Sequence, residues 1–129
     1  MPISVRDVME SDLVTVIPST MMVDAATQMS SMRVGSVLVM DEGELVGIFT
    51  ERDILAAFER DHADAVRVSP VSSGMTRDPH TIAPDATVGE ALDLMLRGGY
   101  RHLPVLEEGS IVGIVSMRDL AQSISKGEG

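Results

Sequence analysis

Val46-Gly47-Ile48-Phe49-Thr50-Glu51-Arg52-Asp53 recurs 66 positions later as Val112-Gly113-Ile114-Val115-Ser116-Met117-Arg118-Asp119. Each copy runs an apolar stretch into a hydroxyl residue. Three residues further on it places an aspartate, with an arginine beside it. Apolar residues leading to Thr or Ser, then an acid at i+3, are the signature of a strand handing over to a helix. The hydroxyl caps orphan backbone N–H groups, and a carboxylate in the first turn suits the positive end of the helix dipole. Two such junctions in a chain of 129 residues point to one structural unit written twice.

Working outward, the two copies align without a gap from Val5 to Ile54 at the same offset. Identical pairs include Val5/Val71, Met9/Met75, Asp12/Asp78, Thr15/Thr81, Pro18/Pro84, Ala25/Ala91, Met29/Met95, Val39/Val105 and Gly43/Gly109. Each copy opens with a short β-rich run, Leu13 to Ile17 or His80 to Ala83, next to a proline. A helix follows. In the second copy Thr87 and Glu90 form a capping box ahead of Ala91, Leu92, Met95 and Leu96, while in the first Val23, Ala26, Met29 and Met32 lie at helical spacing and Met21 stands where the capping threonine would be. Two apolar runs joined at Glu42-Gly43, and again at Glu108-Gly109, read as β-hairpins. The second helix starts at Thr50 or Ser116. The expected order is therefore β-α-β-β-α twice, an α+β fold. Repeat 1 is expected over 1–60, a polar connection over 61–74, repeat 2 over 75–125 and a frayed tail over 126–129.

Composition narrows the function. Hydrophobic residues make up 44% of the chain, enough for a core, yet there are only two Phe, one Tyr and no Trp. The core must be aliphatic, with ten Met as adaptable filler. Repeats of about sixty residues bury too little surface to be stable alone, so they are expected to share a core. The absence of Cys excludes disulfides and thiolate metal sites, and it fits a reducing cytoplasm. No apolar run is long enough to span a membrane, and no signal-peptide pattern opens the sequence. A net charge of −10 argues against a nucleic-acid or anionic-membrane surface, but a small anionic ligand needs only a few placed cations.

The repeated junction supplies such cations. Backbone N–H groups, a hydroxyl and an arginine at a helix N-terminus can hold phosphate. The aspartate would repel phosphate but can accept hydrogen bonds from both hydroxyls of a ribose. The ordinary structural alternative is a plain helix cap. Recurrence at matched positions, with Arg and Asp kept together, counts against that alternative as the whole explanation.

These residues carry a family resemblance. The tandem junctions, with "TVIPST" and "TIAPDATVGEAL", "VGSVLVMDEGELVGIFTERDIL" and "YRHLPVLEEGSIVGIVSMRDLA", make the chain similar to a pair of CBS domains (a Bateman module) of the stand-alone type, from about Val5 to Ile124. The resemblance implies two β-α-β-β-α repeats related by a pseudo-twofold axis and packed through their sheets, with two clefts. It further implies an adenosine-containing ligand (AMP, ADP, ATP or S-adenosylmethionine), no required cofactor, a homodimer and a regulated partner protein.

Carried over by position, cleft one would combine Ile48, Thr50, Arg52 and Asp53 with Thr81, Ile82, Arg101, His102 and Pro104. Cleft two would combine Ile114, Ser116, Arg118 and Asp119 with Thr15, Val16, Gly35, Ser36 and Leu38. The clefts are unequal, because Arg101 and His102 answer to Gly35 and Ser36. Cleft one should therefore bind phosphate better, since charge-assisted hydrogen bonds are roughly twice as strong as neutral ones. The alternative function is a scaffold or dimerisation module with non-functional clefts. An enzyme is not expected. The sequence contains no nucleophile elbow, no phosphate loop and no clustered metal ligands. His62 and His80 show no metal-ligand spacing, and the acidic pairs Asp41-Glu42 and Glu107-Glu108 belong to hairpin turns.

Overall fold

The computed structural model describes residues 2–126. Most of the expected tail, Gly127 to Gly129, lies outside the described residues. The elements in chain order are α1 (Val5–Val8), β1 (Thr15–Val16), α2 (Met22–Met32), β2 (Ser36–Asp41), β3 (Glu44–Thr50), α3 (Glu51–Asp61), α4 (Ala63–Val68), a 3-10 turn (Val71–Ser73), β4 (Thr76–Arg77), α5 (Val88–Gly98), β5 (His102–Glu107), β6 (Ser110–Ser116) and α6 (Met117–Ser125).

Packing units and sequence repeats do not coincide. One compact unit is Val14–Pro79, and the other joins the residues up to Leu13 to those from His80 on. The residues ahead of each repeat's first β-run therefore pack on the body of the other repeat. Val71 is fully buried in the core with Val16, Met22, Ala25, Met29, Val37, Val39, Phe49 and Ala57. Its sequence equivalent Val5 is fully buried with Val88, Ala91, Met95, Leu103, Val105, Val115 and Leu120. The junction glycines make this possible. A Cβ on Gly47 would lie 2.5 Å from Met75 Sδ and 3.0 Å from the Thr76 carbonyl oxygen. On Gly113 it would lie 2.5 Å from Met9 Sδ and 3.0 Å from the Glu10 carbonyl oxygen. Both glycines are thus set by the close approach of a segment from the other repeat, β4 at Gly47 and the bridge at Glu10 at Gly113.

In the Val14–Pro79 unit the sheet order is β1-β2-β3-β4, parallel between β1 and β2 and antiparallel elsewhere. The other unit keeps that layout in thinner form. The hairpin β5-β6 is flanked by single bridges, Ile82 parallel to Val105 and Glu10 antiparallel to Ile114. The expected strand at His80–Ala83 is thus reduced to one bridge, and that at Leu13–Ile17 to two residues. Both hairpins turn in two residues, Glu42-Gly43 and Glu108-Gly109, all four at positive φ, as a type I′ turn requires. Both also skip one residue of register, between Val39 and Met40 and between Val105 and Leu106.

The helices follow the expected periods with two differences. The inward stripe of α2 is Met22, Ala25 and Met29, matching Val88, Ala91 and Met95 on α5. Val23 and Met32, at helical spacing with Met29, are 37% and 55% exposed. The segment 61–74 is more than a polar connection. It contains α4 and the 3-10 turn, and it feeds Val71 into the core. Its serines and proline disguised that role, because a single valine carries the burial.

Thr87 caps α5, accepting from the Glu90 backbone N–H at 3.0 Å, while Met21 at the start of α2 makes no side-chain cap. Asp24 already occupies the third helical position of α2. Met21→Thr is expected to complete a capping box and stabilise the chain by about 0.5–1 kcal/mol. Thermal unfolding reads this directly. A lower melting temperature would show that the half-exposed Met21 side chain contributes more by packing than a cap would.

Candidate functional site

Within each unit the sheet gathers half of each expected cleft. In the Val14–Pro79 unit, Thr15 pairs with Leu38, Leu38 with Ile48, and Ser36 with Thr50. This brings Thr15, Val16, Gly35, Ser36 and Leu38 next to Ile48, Thr50, Arg52 and Asp53. In the other unit, His102 pairs with Ser116 and Pro104 with Ile114. Ile82 lies beside β5, donating to the Pro104 carbonyl at 3.0 Å and accepting from the Leu106 N–H at 2.9 Å. Thr81, Ile82, Arg101, His102 and Pro104 thus neighbour Ile114, Ser116, Arg118 and Asp119.

The two junctions have nearly the same geometry. The Thr50 backbone N–H donates to Asp53 Oδ2 at 2.8 Å, and the Asp53 N–H donates to Thr50 Oγ1 at 3.3 Å. The Ser116 N–H donates to Asp119 Oδ2 at 2.9 Å, and the Asp119 N–H donates to Ser116 Oγ at 3.1 Å. Each carboxylate is thereby fixed at a helix N-terminus. The capping role is therefore real, and it leaves the second carboxylate oxygen geometrically distinct from the capping one.

The flanking residues divide into walls and charges. Val16, Ser36, Leu38, Ile48 and Pro104 are buried. Thr15, Arg52, Arg101 and Arg118 are exposed, and Thr50, Thr81, Ile82, His102, Ile114, Ser116, Asp53 and Asp119 are half-buried. Among the described residues, Arg52, Arg101 and Arg118 make no ion pair. Unpaired exposed guanidiniums in an acidic chain remain available to an anion. The pKa of Arg6 is raised by its hydrogen bond to Glu107, with Asp85 adding to the effect. Among the described residues no three His, Asp or Glu side chains are arranged to hold a metal. None of their helices is long and apolar enough to cross a membrane.

Asp7 and Ser123 escaped the sequence reading. Ser4-x-x-Asp7 has the same hydroxyl-to-acid spacing as the two junctions and forms a capping box on α1, so that signal was present. Ser123 had no signal, because its importance rests on burial.

Comparison with known proteins agrees with this architecture. The CBS domain family model matches residues 5–60 and again 68–126. An uncharacterised 17.7 kDa protein of Acidianus ambivalens is 38% identical over 126 residues, covering 96% of this chain and 74% of the relative. The crystal structure of the CBS-domain protein ATU1752 from Agrobacterium tumefaciens superposes with a TM-score of 0.89 at 32% identity, covering 96% of this chain and 95% of that one. The CBS pair of protein MJ0100, solved with 5′-methylthioadenosine and S-adenosyl-L-methionine, gives a TM-score of 0.89 at 23% identity, covering 98% and 99%, and so speaks to the fold alone. CBSX2, solved with AMP, gives 0.79 at 25% identity, with the same coverage.

Proposed function

The chain belongs to the CBS-domain family, and from that premise we propose that it is a regulatory module which binds an adenosine-containing ligand and passes the signal to a partner protein. The observation that carries this is the duplicated junction. Twice, a capped helix start holds an aspartate beside an exposed arginine that no carboxylate of the described residues neutralises. In this reading Asp53 and Asp119 accept from ribose hydroxyls. Arg52, Arg101 and Arg118 face the phosphates, the other N–H groups of each helix start being bonded already within the fold, and buried Val16, Leu38, Ile48 and Pro104 supply apolar walls for the base. AMP bound to CBSX2 is chemically of the expected kind.

The clefts of this proposal remain cleft one, closed by Asp53, and cleft two, closed by Asp119. The repeats are taken as 1–60 and 75–125, in a cytoplasmic protein that is not a catalyst. Apolar residues exposed on helices, Met32, Leu55, Phe58, Leu96 and Ile124, support association with a second copy. The ligand acts by its different affinity for two states of the module.

Thermal unfolding with millimolar AMP, ADP, ATP and S-adenosylmethionine tests the proposal. At least one is expected to raise the melting temperature, because a ligand at a hundred times its Kd stabilises by about 2.7 kcal/mol. Stabilisation by none of them would leave a dimerising scaffold. Sedimentation velocity of the same samples would then show whether a dimer exists at all.

A further inference from the structure

In the unit that contains α6, the helices α1 and α6 flank an open hollow of about 200 Å³ lined by Asp7, Val8, Asp119, Gln122, Ser123 and Lys126. Asp119, Gln122 and Ser123 of α6 and its C-cap Lys126 recur at i, i+3, i+4 and i+7, one face of the helix. Ser123 is only 4% exposed, yet its Oγ has no hydrogen-bond partner. A serine inside a helix ordinarily satisfies itself on the carbonyl four residues back, as Thr27 does with the Val23 carbonyl. Ser123 does not. Nor does packing demand a hydroxyl there, since the matched residue of repeat 1 is the buried Ala57.

The two aspartates are similarly half-used. Asp7 accepts from the Ser4 N–H and Ser4 Oγ through Oδ2, and Asp119 accepts from the Ser116 N–H through Oδ2. Among the described residues neither Oδ1 is engaged. The hollow therefore offers three acceptor oxygens, two of them charged, and a primary ammonium has three N–H donors. Lys126 and the Gln122 amide add donors at the other end of the α6 face. No such set exists in repeat 1, where the matched residues are Ser73, Asp53, Ala56, Ala57 and Arg60.

We propose that this hollow binds an α-amino-acid head group. Its ammonium is received by Asp7, Asp119 and Ser123, and its carboxylate by Gln122 and Lys126. The volume suits a head group and not a whole nucleotide, for which pockets of roughly 300–1,000 Å³ are usual. The head group has two sources: a free amino acid, or the amino-acid end of S-adenosylmethionine. The second source rests on the nucleotide reading above, because its ribose would share Asp119.

Titration calorimetry of the full chain with S-adenosylmethionine, 5′-methylthioadenosine and L-methionine separates these cases, since the second compound is the first without its amino-acid end. S-adenosylmethionine is expected to bind about tenfold more tightly than 5′-methylthioadenosine. Ser123→Ala should remove most of that difference, leave 5′-methylthioadenosine unchanged and not lower the melting temperature of the unliganded protein. Binding of L-methionine with neither adenosine compound binding would support the free amino acid and count against the nucleotide reading. Equal affinity for the two adenosine compounds, with no binding of L-methionine, would overturn the head-group site while leaving nucleotide binding intact. Binding of none of the three would overturn both. A difference that survives both Ser123→Ala and Asp7→Asn would also overturn the assignment to this hollow.

Discussion

Removing the first ten residues is expected to abolish the cooperative unfolding of the C-terminal half of the chain. Terminal residues are ordinarily dispensable, but these ten supply part of another repeat's core and edge. Val5 is fully buried among Val88, Met95, Leu103 and Leu120, a contribution of about 1.5–3 kcal/mol. Five backbone hydrogen bonds go with it. Val5 donates to Ala86, Arg6 to Pro84 and Val88 to Ile3, and Glu10 and Ile114 exchange a pair at 2.8 and 2.9 Å. Each contributes about 0.5–1.5 kcal/mol net. Met9 would leave the backbone of Gly113 uncovered, and the pairing of Arg6 with Glu107 would be lost. A small domain has only about 5–15 kcal/mol in total, so this loss is comparable with the whole. Thermal denaturation followed by circular dichroism is the measurement. A truncated chain that melted within a few degrees of the parent would refute the exchange of opening segments between repeats.

Asp53→Asn is expected to weaken AMP binding about tenfold or more, and Asp119→Asn much less. Losing a hydrogen bond made by a charged group costs about 1.5–3 kcal/mol, and each 1.4 kcal/mol is a factor of ten in Kd. Asparagine keeps an oxygen for the Thr50 N–H, so the helix start survives and the unliganded melting temperature should change little. The asymmetry comes from charge. Asp53 is assigned to the cleft with Arg52, Arg101 and His102, whereas Asp119 has only Arg118 and shares a hollow with the carboxylate of Asp7. A neighbouring carboxylate opposes a phosphate. Calorimetric titration of the two variants with AMP decides the ranking. If Asp119→Asn abolished binding and Asp53→Asn did not, cleft two would be the nucleotide site.

Much of this was legible before any coordinates. The capping boxes at Thr50, Thr87 and Ser116 formed as read, because a hydroxyl and an acid three residues apart interact within one turn whatever surrounds them. The two-residue hairpins formed at Glu42-Gly43 and Glu108-Gly109 for the same local reason. The helix faces were less legible. Val23, Ala26, Met29 and Met32 fit a 3.6 period, but so do Met22, Ala25 and Met29, and only packing against Val37, Val39 and Phe49 chose between them. The connection at 61–74 hid its buried Val71 because one core residue leaves no period to detect.

The repeated junction on which the sequence turns is thus half local and half tertiary. Its hydroxyl, its aspartate and its helix start are properties of a few neighbouring residues, and the amino-acid order determined them. Why Gly47 and Gly113 precede them was decided by the fold. Each glycine admits a segment contributed by the other repeat. Val5 and Val71 hold matched positions in the two copies, and no nearby signal says which core each will enter. The fold likewise brings Asp7 against Ser123 from opposite ends of the chain. Contacts between distant segments depend on burial and shape complementarity summed over a whole core, and no local pattern encodes that sum.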